Sequence, residues 1–123
     1  MRSATIRPEE FIPIQANGLY LDRLRAFYEK RNSSIPPVTA LHYLGGYLLL
    51  DGNHRVYFAK EERRTVPTQI LETDQDVRDS TAISLIGLRT IEDVISEYED
   101  TWKPLCEARD IKSIGDYKIN PPL

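Results

Sequence analysis

The stretch Gly46-Tyr47-Leu48-Leu49-Leu50-Asp51-Gly52-Asn53-His54-Arg55 runs from an almost wholly apolar segment into polar residues around one glycine. Apolar residues at successive positions from Tyr47 to Leu50 predict a central β-strand covered on both faces. The polar residues after the glycine predict the first turn of a helix. Its first amides lack intrahelical acceptors, and the helix dipole adds partial positive charge there, so such a corner suits an anion, phosphate above all. Gly52 and Asn53 are expected to offer backbone amides, with Gly52 letting a ligand approach without an intervening Cβ. Arg55 adds a fork of donors for phosphate oxygens, and His54 either donates one more bond or takes part in proton transfer. Asp51 has four candidate roles: capping the helix, orienting His54, holding magnesium through water, or accepting a proton from a substrate hydroxyl. The competing reading is a plain strand-to-helix turn in which Arg55 pairs with a surface carboxylate.

Outward from this stretch, Val38 to Leu44 alternates as a half-buried strand, and Gly45-Gly46 suits a tight hairpin. Before it, Leu21, Leu24, Phe27 and Tyr28 form one apolar stripe on a helix over Leu19 to Arg31, which should stop near Asn32-Ser33-Ser34 ahead of Pro36-Pro37. After it, Val56 to Arg64 reads as a short helix with Arg63-Arg64 at a solvated end. Val66 to Glu72 reads as a strand, at an edge or with Pro67 at its first residue, because proline has no amide to donate. Thr73-Asp74-Gln75-Asp76 starts a helix from Val77 to Leu88, broken by Gly87. Thr90, with Asp93 three residues on, opens an amphipathic helix carrying Ile91, Val94, Ile95, Tyr98, Trp102 and Leu105, which Pro104 should kink or end. Ile111, Ile114, Tyr117 and Ile119 make the tail from Asp110 to Leu123 apolar enough to pack back on the body. The fold class is α+β: one domain over residues 1–123, a small mixed β-sheet flanked by helices, with a C-terminal amphipathic helix and a packed tail.

Composition narrows the function. Sixteen Lys and Arg against nineteen Asp and Glu leave a net charge of -3 in 123 residues. That balance disfavours DNA binding by bulk electrostatics. A single cysteine, Cys106, excludes an internal disulfide framework and is expected to be a small core residue in a reducing, cytoplasmic setting. Residues 1–10 lack the apolar core of a secretory signal, and no run approaches the ~18 apolar residues of a membrane span. Two histidines without nearby cysteines give no metal site from protein ligands alone, and His42 reads as a strand residue. Of the seven tyrosines, Tyr57 is placed to flank a nucleotide base. Trp102 and the apolar tail leave a homodimer open.

Pro36-Pro37-Val38, the glycine hairpin, the run Leu48 to Val56 with its D-G-N-H-R turn, Ala59, and Val66-Pro67-Thr68-Gln69-Ile70 resemble the ParB/sulfiredoxin superfamily, over residues 35–71. The resemblance implies a small α+β fold whose strand-to-helix turn binds nucleotide phosphates, with ATP, ADP or CTP and Mg2+ as cofactors. Asn53 stands where sulfiredoxin has its catalytic cysteine, which argues against sulfiredoxin repair chemistry. Leu85-Ile86-Gly87-Leu88-Arg89 resembles the neighbourhood of the partition proteins' second nucleotide-binding box without its Glu-Asn pair, and makes Arg89 a further phosphate contact. The 34 residues after Arg89 are not expected to form the helix-turn-helix and dimerisation domain of a partition protein. The turn is most similar to that of the free-serine-kinase branch, whose catalytic acid has no residue-by-residue counterpart here beyond the loose analogues Glu9 and Glu10. The implied function is nucleotide or phosphate binding, with a phosphotransferase acting on a small hydroxyl compound, using Asp51 and His54, as the enzymatic form. A nucleotide hydrolase is a second enzymatic form. The alternative is a non-catalytic nucleotide-sensing or DNA- or protein-binding module.

Overall fold

The computed structural model describes residues 1–121. A mixed five-stranded sheet forms its centre, in the order β1 (Arg2–Ile6), β6 (Val66–Leu71), β4 (Val38–Tyr43), β5 (Gly46–Asp51) and β2 (Phe11–Ile12). The β1–β6 and β4–β5 pairs are antiparallel, and β4–β6 and β5–β2 are parallel. The helices are α1 (Leu21–Glu29), α2 (Asn53–Glu61), α3 (Asp74–Asp79), α4 (Thr81–Ser84), α5 (Ile91–Glu97) and α6 (Lys103–Ala108). A separate parallel ladder of β3 (Leu19–Tyr20) and β7 (Ile119–Asn120) ties the tail to the start of α1. None of the described helices is long and apolar enough to cross a membrane.

Side-chain alternation along the strands splits the apolar residues between two cores. Val38, Ala40, Leu49 and Ile70 face α1 and α2, where they meet Leu24, Val56, Phe58 and Ala59. Leu41, Leu48, Leu50 and Leu71 face the other way, onto Val77, Ile83, Val94 and Tyr98. The expectation that Tyr47 to Leu50 is covered on both faces therefore holds for Leu48, Leu49 and Leu50, while Tyr47 is half-buried. The tail also packs as expected, through buried Ile111, Ile114 and Tyr117; its last two residues, 122 and 123, lie outside the described residues.

Several local expectations are corrected. The hairpin turns on Leu44 (φ 45°) and Gly45 (φ 83°), one residue earlier than the glycine pair. Gly46 instead opens β5 opposite Tyr43. A Cβ there would come within 3.1 Å of the Ile12 side chain, so this glycine lets β2 close on β5. Strand β6 is interior and Pro67 is its second residue, opposite Thr5. Pairing with β4 starts only at Val38↔Thr68, so the proline sits just before the ladder that would need its amide.

Helix α2 begins at Asn53, so the polar residues after Gly52 form its first turn as expected, ahead of the Val56 start read from the apolar positions, and Arg63 (φ 54°) follows it in a left-handed turn. Arg64 is no solvated end: its guanidinium donates to the carbonyls of Arg31 (3.0 Å) and Ser33 (3.2 Å), holding the chain that leaves α1. The helix expected over residues 77–88 is split into α3 and α4 by extended Ser80 (ψ 108°). Pro104 neither ends nor visibly breaks the last helical run. A π-turn at Tyr98–Trp102, with the Lys103 amide bonded to the Tyr98 carbonyl, lets helical backbone continue into α6 with the proline in its first turn.

Candidate functional site

The five residues Asp51 to Arg55 line one cleft of about 420 Å³, together with Gln15, Tyr20, Arg23, Ala26 and Phe27. One side is the β5–α2 corner; α1 and the loop before it supply the rest. Gly52 is the N-cap of α2 at φ 106°, where L side chains are strained. A Cβ on it would lie 2.4 Å from Val38 Cγ1, so the glycine is demanded by contact with β4. This packing reason holds whether or not a ligand approaches the bare backbone.

The first intrahelical bond of α2 runs from the Val56 amide to the Gly52 carbonyl (3.0 Å), which leaves the amides of Asn53, His54 and Arg55 without helical acceptors. No side chain caps this end, so Asp51 is not a helix cap. Its exposed carboxylate makes no hydrogen bond or ion pair with any other described residue.

The Asn53 side chain is engaged internally on both its oxygen and its nitrogen. The Tyr117 hydroxyl donates to Asn53 Oδ1, Asn53 Nδ2 donates to Gln15 Oε1 (3.1 Å), and Gln15 Nε2 donates to the Gly18 carbonyl. This chain of bonds joins the tail, the start of α2 and the loop before α1. Burial pushes the Tyr117 phenol well above its ordinary value, so it stays a donor.

His54 Nε2 accepts the Tyr20 amide at 2.9 Å. The proton of the neutral imidazole therefore resides on Nδ1. Partial burial, and secondly the positive charge of Arg23, hold the His54 pKa below its ordinary 6.5. At neutral pH this side chain is thus an uncharged donor, and accepting a proton at Nε2 would require release of the Tyr20 amide. The two rings are stacked, with centroids 6.1 Å apart, and the Arg23 guanidinium lies 5.6 Å from the Tyr20 ring centre. Arg55 lines the cleft and pairs with no carboxylate among the described residues; one N–H donates to the Pro37 carbonyl at 2.9 Å, which leaves its other donors without a described partner.

Arg89 is not brought to this cleft. It lies just before α5, which packs through Val94 on the other face of the sheet, and its amide bonds Asp93 Oδ2 at 3.0 Å. Tyr57 packs against the α1–α2 core, and Tyr20 is the tyrosine that reaches the cleft. Glu9 and Glu10 form a short 3-10 turn away from it, with Glu10 accepting the Arg7 amide. Cys106 is buried as expected, and burial raises its thiol pKa, which disfavours a nucleophilic role. Among the described residues, no three His, Cys, Asp or Glu side chains gather in a way that would hold a metal ion.

The residues missed from sequence are those of the α1 side. Tyr20, Arg23 and Phe27 follow i, i+3, i+7 spacing and so share a stripe of the helix. That spacing was the available signal, but only the packing of α1 on α2 directs it toward the corner. Comparison with protein-family models, with curated proteins and with solved structures finds no match to this chain.

Proposed function

We propose that this chain binds a phosphorylated ligand of nucleotide size in the cleft between α1 and the β5–α2 corner, in the manner the ParB/sulfiredoxin resemblance implies. The observation that carries this reading is the donor set on one cavity. Arg55, Arg23, His54 with its neutral Nδ1–H, and the first-turn residues of α2, whose amides lack helical acceptors, line it, against one carboxylate among the described residues, Asp51. In a chain of net charge -3 this is a local excess of positive potential. The volume, about 420 Å³, falls within the roughly 300–1,000 Å³ of small-molecule sites.

A second reading, phosphoryl transfer to a small hydroxyl compound, is favoured by the unpaired Asp51 carboxylate on the same cleft. A magnesium ion would there be held by that carboxylate and the ligand's own phosphates, a donor set usual for this ion. Catalysis would come from positioning and charge stabilisation. His54 fits it as a donor to a phosphoryl oxygen. Melting curves with ATP, ADP or CTP plus magnesium test binding: a ligand at 100 times its Kd stabilises by about 2.7 kcal/mol. Arg55→Ala should remove most of that gain, and unchanged binding would refute the phosphate site. Formation of a phosphorylated product from serine or a related acceptor separates transfer from binding alone.

A further inference from the structure

We infer that Arg23, on α1, is a second anion-holding residue that sets the specificity of the cleft for ligands with two adjacent anionic groups over ligands with one. The inference rests on the phosphate-binding reading and adds a residue that neither the turn motif nor the family resemblance marks.

Helix α1 carries arginines at positions 23 and 25, and only Arg23 lines the cleft. Its guanidinium makes no hydrogen bond or ion pair with another described side chain. The neighbouring Asp22 carboxylate is engaged by the Arg23 backbone amide at 2.9 Å rather than by its side chain. What holds the arginine is the Tyr20 ring, 5.6 Å from the guanidinium carbon, and that ring is in turn fixed by stacking on His54 and by the bond from its amide to His54 Nε2. An arginine lying over an aromatic face keeps its in-plane donors free and loses less freedom when it binds. The lowered pKa of His54, caused in part by Arg23, agrees with this charge acting on the corner.

Charge balance then separates ligand classes. One anionic group seated on the α2 amides is served by those amides and Arg55, which come from the same turn. Arg23 comes from a different element on the α1 side, and a ligand with a single anionic group leaves it unmet. A second anionic group on the same ligand, reaching the α1 side of the cleft, would satisfy it. Among the described residues Asp51 is the only carboxylate lining the cleft, so two arginines on different elements, neither in an ion pair, favour a ligand that presents anionic oxygens to both.

Calorimetric titration with inorganic phosphate and with pyrophosphate, at one fixed low salt concentration, tests this. The unaltered protein should bind pyrophosphate at least tenfold more tightly. Arg23→Gln should weaken pyrophosphate about tenfold and phosphate less than twofold, an effect of one charge-assisted contact. Arg55→Ala should weaken both probes. Arg25→Gln, the same charge change away from the cleft, should alter neither, and melting curves of the two glutamine variants should match. If both probes bind and Arg23→Gln changes neither, or Arg25→Gln has the same effect, the role of Arg23 is refuted while the phosphate site stands. If neither probe binds the unaltered protein, the site itself is refuted and the inference goes with it.

Discussion

Gly52→Ala should destabilise the fold by about 2–5 kcal/mol. Two effects add. Holding an L residue in the left-handed region, here at φ 106°, costs about 1–2 kcal/mol. The new methyl group would also sit 2.4 Å from Val38 Cγ1 and 2.9 Å from Val38 Cβ. Val38 is fully buried and fixed in β4, so the overlap can be relieved only by moving strand or helix start, an overpacking cost of about 1–3 kcal/mol. Against a total stability of about 5–15 kcal/mol, that is a large fraction. Urea unfolding followed by circular dichroism measures it, provided the slope is unchanged. The steric part can be isolated with Val38→Ala. In the double variant the alanine methyl occupies space the valine vacated, so the two single costs should exceed the double by about 1–3 kcal/mol. A Gly52→Ala variant within about 0.5 kcal/mol of the parent, or costs that simply add, would refute the argument that β4 dictates this glycine.

Tyr117→Phe removes the donor to Asn53 and should cost about 1 kcal/mol in urea unfolding; Asn53→Ala leaves the buried hydroxyl without its acceptor and should cost more, up to about 3 kcal/mol. His54 has a folded pKa below its unfolded value, so the unfolded chain binds the proton more readily. Stability should be fully present above pH about 6.5 and fall as pH drops from there through the lower folded value, and His54→Gln should flatten that segment of a urea-midpoint profile. Thr90→Ala removes the hydroxyl that accepts the Asp93 amide at 2.9 Å and should cost about 1 kcal/mol in thermal unfolding. No loss there would refute capping as the reason α5 starts at Ile91.

The elements legible in the sequence are those whose pattern repeats several times. Strands β4, β5 and β6 each span six residues, long enough for alternation or a continuous apolar run to register. The Thr73 and Thr90 boxes announced helix starts because a hydroxyl and a carboxylate three residues apart satisfy amides locally. Strands β2, β3 and β7 contain two residues each and cannot show a period. Edge strand β1 buries only Ile6 among its five residues, so its pattern resembles a polar terminus. The corner from Asp51 to Arg55 was readable because strand end, glycine and helix start are contiguous. The remainder of the cleft was not, since Gln15 lies 38 positions from Asn53 and Tyr20 lies 34 from His54. Arg89 shows the converse limit: proximity along a motif did not decide which face of the sheet its helix would take.

The division of the interior by the sheet has a consequence for how this chain can vary. The cleft draws on the compartment holding Val38, Leu24 and Val56, while α3, α4 and α5 fill the other with Val77, Ile83 and Val94. They are connected by the shared strands and by the helical run that places Tyr98 in the second compartment and Cys106 in the first. Helices α3 and α4, which bury Val77 and Ile83 in the second compartment alone, are thus the part where different aliphatic residues should disturb the donors around Arg55 least.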